Sequence, residues 1–185
     1  MSTFLSPWMQ SKAPQMVLIV ITIIWGGSFL TVQDGLNFSS PILFVALRFA
    51  AAAIAVSIIS WRKLKGFNLK EIVAGACIGA VIAIGYGTQT VGLQTISSSE
   101  SAFLTALYVP LVPIFVWIIF KTKTHLMTWL GAGLAFIGLV FLTGNGFGSI
   151  QLNDGQILTL LGSIAIAFEI ILIGHFAGSV NVRRV

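Results

Sequence analysis

"PILFVALRFAAAAIAVSIIS", Pro41 to Ser60, is apolar along almost its whole length yet carries one charge, Arg48. Twenty residues wound as an α-helix reach about 30 Å, the thickness of the hydrocarbon core of a bilayer. A guanidinium cannot give up its proton, so a helix suited to lipid holds a permanent cation. Arg48 lies seven residues inside Pro41, about 10 Å from that end of the helix. Such a charge is costly in lipid and is expected to face the interior of a bundle or a wet cavity. Two roles fit it: a residue on a solute path, or an arginine that bonds carbonyls and ties helices together.

The rest of the chain repeats the apolar pattern. Six stretches qualify as spans, over about 14–32, 41–60, 72–96, 101–120, 126–143 and 155–178. Polar connectors separate them, among them "VQDGLNFSS" (32–40), "SSSE" (97–100) and "TGNGFGSIQLNDG" (143–155). The runs are long and continuous rather than alternating, which excludes strands. Over all 185 residues, 57% are hydrophobic and 8% charged, with a mean hydropathy of +1.00. Soluble domains are about 25% charged, so the solvent of this chain is lipid. The expected fold is an all-α integral membrane protein, a multi-pass helical bundle. The first span has an apolar core of about 17 residues and no small-x-small cleavage site after it, so it reads as a retained helix rather than a secretory signal.

The net charge of +5 is topological. Apart from Arg48, the basic residues are Lys12, Arg62, Lys63, Lys65, Lys70, Lys121, Lys123, Arg183 and Arg184. All fall before the first span, in the 2–3 and 4–5 loops, or after the sixth. The 1–2, 3–4 and 5–6 loops hold none. This is the positive-inside pattern, and it predicts a cytoplasmic N-terminus in a cell inner (plasma) membrane. The partners expected are the lipid bilayer and a small-molecule solute, with no nucleic acid.

Several residues do not suit lipid. Glu169, about 14 residues into the sixth span, is a candidate pairing partner for Arg48, although their expected depths differ by about 10 Å. It is also a candidate for carrying a coupling proton, because loss of water disfavours the charged carboxylate. Glu100 opens the fourth span and reads as a solvated residue. The third span ends in "GYGTQTVGLQT" (85–95), where Tyr86, Gln89, Thr90 and Gln94 crowd neighbouring faces of one helix and favour a lined polar cavity. In the fourth span, Pro110 and Pro113 each remove a backbone donor, so the helix must bend or break, with Tyr108 just before the bend. A broken span beside a polar one is a common way to build a mid-membrane site. Small residues mark expected close helix contacts at Ala50–Ala53, at Gly75 and Gly79, and at Gly131, Gly133 and Gly138.

Cys77 stands alone and reads as a buried small hydrophobe, and His125 and His175 share no metal-ligand spacing. No phosphate loop, nucleophile elbow or carboxylate pair appears, so no enzyme, cofactor or metal is expected.

"IIWGGSFL" (23–30), Pro41-x6-Arg48-Phe49, "SAFLTALYVPLVPIFVWIIF" (101–120), "WLGAGLAFIGLVFL" (129–142) and "DGQILTLLGSIAIAFEI" (154–170) together resemble the drug/metabolite transporter superfamily, EamA type. The resemblance implies ten helices in two five-helix repeats, the second inserted inverted. On it, 1–13 is a cytoplasmic tail and 14–143 one EamA-like repeat. An external loop follows at 144–154, then 155–178 as the first helix of the second, inverted repeat and 179–185 as a cytoplasmic end. It also implies that four further helices belong after "VNVRRV" (180–185), so a second copy or a missing C-terminal half is expected as a partner. The implied activity is transport of small metabolites or drugs through a central cavity by alternating access, with Trp25, Arg48 and the Pro110 break carried over by motif. Tyr86, Gln89, Thr90, Gln94 and Tyr108 join them on polarity. Two other readings stay open: a non-transporting membrane subunit or truncated fragment, and a small dimeric proton-coupled multidrug exporter. The latter class places its carboxylate in the first span, which here has none.

Overall fold

The computed structural model describes residues 7–61, 66, 68–121, 125–142 and 152–180, and among these the six apolar stretches form seven helices because one of them breaks. They are α1 (Pro7–Gly35), α2 (Pro41–Ser60), α3 (Leu69–Gly92), α4 (Ser98–Ala106), α5 (Tyr108–Phe120), α6 (Leu126–Leu142) and α7 (Asp154–Ala177). Five spans are long and apolar enough to cross a bilayer: Gln15–Gly35, α2, α3, the α4–α5 pair and α7. The described part of α6 has 17 residues, about 25 Å. The tail over 1–6, the basic residues Arg62, Lys63, Lys65, Lys123, Arg183 and Arg184, and the loop over 143–151 lie outside the described residues.

Local chemistry sets the helix starts. Asn68 caps α3 reciprocally with Glu71, whose carboxylate accepts from the Asn68 N–H at 3.0 Å, so α3 begins three residues before the apolar run. Asn153 and Gln156 form the same box at α7, with Gln156 N–H to Asn153 Oδ1 at 2.8 Å and Asn153 N–H to Gln156 Oε1 at 2.9 Å. The fourth span breaks at Leu107, one turn earlier than the prolines themselves. Pro110 lacks the N–H that would bond the Ala106 carbonyl and its ring crowds that carbonyl, so the helix gives way there, while Pro113 stays inside α5.

The bundle centres on α3 and α7, which pack antiparallel along two glycine pairs. A Cβ at Gly162 would come within 2.8 Å of the Gly85 carbonyl, and one at Gly92 within 2.7 Å of the Gly155 carbonyl and 2.5 Å of Thr159 Oγ1. Each helix thus carries glycines seven residues apart on one face, and the two backbones touch. α4 and α5 pack against α7, α2 against α3, and α1 against α4.

The close contacts fall elsewhere than the small-residue runs suggest. Ala50–Ala53 are exposed, and a Cβ at Gly79, Gly131 or Gly133 meets nothing within 4 Å, while Gly138 does meet the Phe103 ring. α2 has no buried residue. Two further expectations are corrected. Cys77 is exposed, because α7 covers another face of α3, and a thiol is as acceptable to lipid as a methyl group. Glu100 is half-buried and accepts a hydrogen bond from Gln156 Nε2, linking α4 to α7, rather than standing in solvent.

The pattern is inside-out relative to a soluble fold. Among the described residues nine polar and nine apolar side chains are buried, while Ile42, Ile59, Leu126 and Leu134 point outward. Gln89 Nε2 donates to Thr105 Oγ1 at 2.7 Å between α3 and α4, and both groups are buried.

Gly162→Leu is expected to lose the α3–α7 contact, since overpacking costs about 1–3 kcal/mol, and to lower the melting temperature in detergent. Gly131→Leu, which meets open space, should melt as the native chain does. Equal behaviour of the two variants in a thermal melt would remove the glycine contact as the organising one.

Candidate functional site

Five helices meet around a cavity of about 460 Å³. α1 contributes Ile21, Ile24, Trp25 and Ser28, α2 contributes Arg48, α3 contributes Tyr86, α5 contributes Tyr108, and α7 contributes Ile166, Glu169 and Ile170. Counted at 1.5 Å per residue from the end that holds the α1–α2 and α3–α4 turns, Tyr86 and Arg48 lie about 10 Å deep, Trp25 and Tyr108 about 15 Å, and Glu169 about 22 Å. In a core of about 30 Å the cavity is therefore centred on the bilayer midplane.

Each side chain owes its place to a feature already met. Tyr108 is the first residue after the Leu107 break and lines the cavity. Tyr86 follows Gly85, whose close contact with Ala165 and Ile166 seats α7 on α3, and Glu169 follows on α7 about one turn deeper. Trp25 packs edge-on to Tyr108 with ring centroids 5.9 Å apart, and Phe49 edge-on to Tyr86 at 5.4 Å. The Arg48 guanidinium lies 5.7 Å from the Tyr86 ring centroid and 6.0 Å from that of Phe49, within cation–π range.

The two charged groups do not meet. Among the described residues Arg48 has neither a carboxylate nor a carbonyl within bonding distance, and its contacts are aromatic faces. Glu169 Oε2 is buried without a hydrogen-bond partner among the described residues. The depth offset expected between them is real, and one cavity bridges it. A larger groove, about 1060 Å³, runs between α2 and α3 past Phe49, but its lining is apolar apart from Thr88. The smaller space gathers the chemistry.

Of the residues singled out in the sequence, Trp25, Arg48, Tyr86, Tyr108 and Glu169 come together here. Gln89 is one turn away, engaged with Thr105. Thr90 is buried off the cavity, Gln94 is exposed in the turn after α3, and Pro110 is half-buried on α5 beyond Tyr108. Sequence reasoning did not pick out Ser28, three residues after Trp25 on the same helical face, whose hydroxyl donates to the Trp25 carbonyl at 2.6 Å. It also passed over the wall isoleucines, because isoleucine is unremarked in any apolar span.

Residues 13–144 match the EamA-like transporter family. The chain is 34% identical over 161 residues to an uncharacterized transporter of Archaeoglobus fulgidus, covering 86% of this chain and 48% of that protein. It is 30% identical over 156 residues to the uncharacterized inner membrane transporter YedA of Escherichia coli, covering 82% and 50%. It is 25% identical over 150 residues to the uncharacterized transporter YvbV of Bacillus subtilis, covering 80% and 49%. The chain thus spans about half the length of the curated relatives it matches. No solved structure gives a significant match. A family match from α1 through α6, together with an all-helical bundle of membrane-length spans, makes this chain a member of the EamA-like transporters of the drug/metabolite transporter superfamily.

Proposed function

We propose that the chain carries small metabolites or drugs across the cell inner membrane by alternating access at the cavity among α1, α2, α3, α5 and α7. The observation that carries this reading is the pair Arg48 and Glu169, which face one midplane space unpaired between the rings of Trp25, Tyr86 and Tyr108. Ionisable groups at membrane depth are costly, and those that persist without a protein partner mark solute or ion pathways. A solute with an anionic group for Arg48, a cationic group for Glu169 and an apolar body against the rings satisfies all three features. Amino-acid-like zwitterions have that form. When no such solute is bound, Glu169 is placed to take up the coupling proton.

The finer assignments follow from the same parts. Trp25, Arg48, Tyr86 and Tyr108 touch solute. Gln89 and Thr90 hold α3 in register behind them, and Pro110 sets the break that delivers Tyr108. Gln94, exposed beyond α3, lies at the closed end of the path. Charge placement supports a cytoplasmic N-terminus, and the likeness to the inner membrane transporter YedA of Escherichia coli supports an inner-membrane location. The half-length match supports further helices, four from the remainder of a longer polypeptide or those of a second copy, as the other wall of the path. The exposed side of α1 and α2 at Ile21, Ile24 and Arg48 is where those helices would sit.

Two substitutions test this in proteoliposomes taking up a radiolabelled amino-acid mixture. Arg48→Ala is expected to lower uptake more than about tenfold, since stripping one partner from a desolvated charge pair costs about 2 kcal/mol or more, while membrane accumulation stays unchanged. Lost accumulation would assign Arg48 to holding helices instead. Glu169→Gln is expected to flatten the pH dependence of uptake, and an unchanged profile would end its coupling role.

A further inference from the structure

One end of the cavity is closed. Toward the α1–α2 turn, Phe29, Val32 and Leu93 form a buried apolar cluster packed by Trp25 and Phe44. Trp25 belongs to the cluster and to the cavity wall, so the plug begins where the cavity stops. Toward the opposite end the wall is Ile21, Ile24 and Ile170, all exposed.

Beyond the plug lies Gln33, next to Val32 and one turn past Phe29 on α1. Its Nε2 donates to the Ile96 carbonyl at 3.0 Å, and its Oε1 accepts from the Ser98 N–H at 3.0 Å. One side chain thereby closes both backbone groups of the turn between α3 and α4, which would otherwise need water. Ile96 and Ser98 are buried.

The elements on the two sides of this contact differ in how firmly they are held. α3, α4 and α7 form one body: α3 and α7 touch along the glycine pairs, Gln89 joins α3 to α4 through Thr105, and Gln156 joins α7 to α4 through Glu100. α1 meets that body through the aliphatic and aromatic surfaces of the cluster, through Trp25, whose indole hydrogen-bonds the Tyr86 hydroxyl on α3, and, at the closed end, through Gln33. At the closed end Gln33 is the contact that ties α1 to the backbone of the α3–α4 turn.

We propose that Gln33 is the latch of a gate, holding α1 against the α3–α4 turn so that the Phe29–Val32–Leu93 plug seals this end of the cavity. When the latch lets go, α1 moves off the α3–α4–α7 body, the plug parts and the cavity opens toward the α1–α2 turn. The inference rests on the cavity being the solute path. Its test reads opening directly and uses no solute, so it succeeds or fails separately from the uptake experiments.

The test uses the full chain in liposomes with Cys77→Ser as background and Val32→Cys as reporter, labelled by a membrane-impermeant maleimide. Val32 is buried in the plug, and cysteine nearly matches valine in size. Slow labelling of the reporter alone is expected. Adding Gln33→Leu removes both bonds and should raise the rate about tenfold, as expected for two hydrogen bonds exchanged with water. Gln33→Glu keeps the acceptor for the Ser98 N–H and loses the donor for Ile96, and should raise it about threefold. If Gln33→Leu fails to accumulate, the Gln33→Glu rate decides. A second reporter, Ser163→Cys, is buried on α7 within the body and should stay unlabelled in every background. Unchanged Val32→Cys labelling on loss of the latch overturns the proposal. So does a parallel rise at Ser163→Cys, which would mean that the whole bundle loosens.

Discussion

The contact between the α3 and α7 backbones at Gly85, Gly92, Gly155 and Gly162 is what the rest of the architecture hangs on. Lipid is as apolar as leucine, so hydrophobic burial does little to bring inserted helices together. What remains is close van der Waals approach and polar contacts sheltered from water. Glycine permits the first, because a Cβ at Gly92, Gly155 or Gly162 would strike atoms of the facing helix and one at Gly85 would press against Ile166. The second follows from it: once α7 lies on α3, Gln156 reaches Glu100 and Glu169 reaches the space in front of Tyr86.

From that contact the cavity takes its shape. α7 brings in a carboxylate, α5 adds Tyr108 just after the Leu107 break, and α2 lays Arg48 across the ring of Tyr86. The arginine that looked misplaced in "PILFVALRFAAAAIAVSIIS" is accommodated by aromatic faces and by the cavity, not by a carboxylate or by carbonyls. Aromatic faces offer a cation partial compensation while leaving its donors free. A guanidinium so placed is held in position without being neutralised, which is the condition a binding group has to meet.

The fold was largely legible because the bilayer imposes a length and forbids unpaired backbone, so six apolar runs could be little other than helices. The family resemblance was legible from motif order, and the 13–144 match agrees with it. Five of the site residues that converge, Trp25, Arg48, Tyr86, Tyr108 and Glu169, announced themselves as polar or aromatic groups in hydrocarbon. What stayed hidden was facing. Glycines are plentiful here, and composition does not say which ones meet a neighbour: the small-residue runs pointed to Gly131 and Gly133 and passed over Gly85 and Gly162, and only the mutual rotation of the helices separates them. The same blindness hid Glu100, whose partner Gln156 is 56 residues away, and Gln33, whose partners are backbone atoms that carry no sequence signature. The break was foreseen from Pro110, but its position one turn upstream follows from the carbonyl that the proline strands rather than from the proline itself.

The outward-facing isoleucines and leucines, Ile42, Ile59 and Leu134 among them, touch hydrocarbon both before and after the helices associate. Bundle assembly therefore removes almost no apolar surface from water. A soluble domain acquires its large unfolding heat capacity, and the curvature of its stability with temperature, from that transfer. This bundle lacks the source of both. Its helices separate with a stability that changes nearly linearly with temperature, and the low-temperature loss of structure that curvature imposes on soluble proteins has no counterpart here.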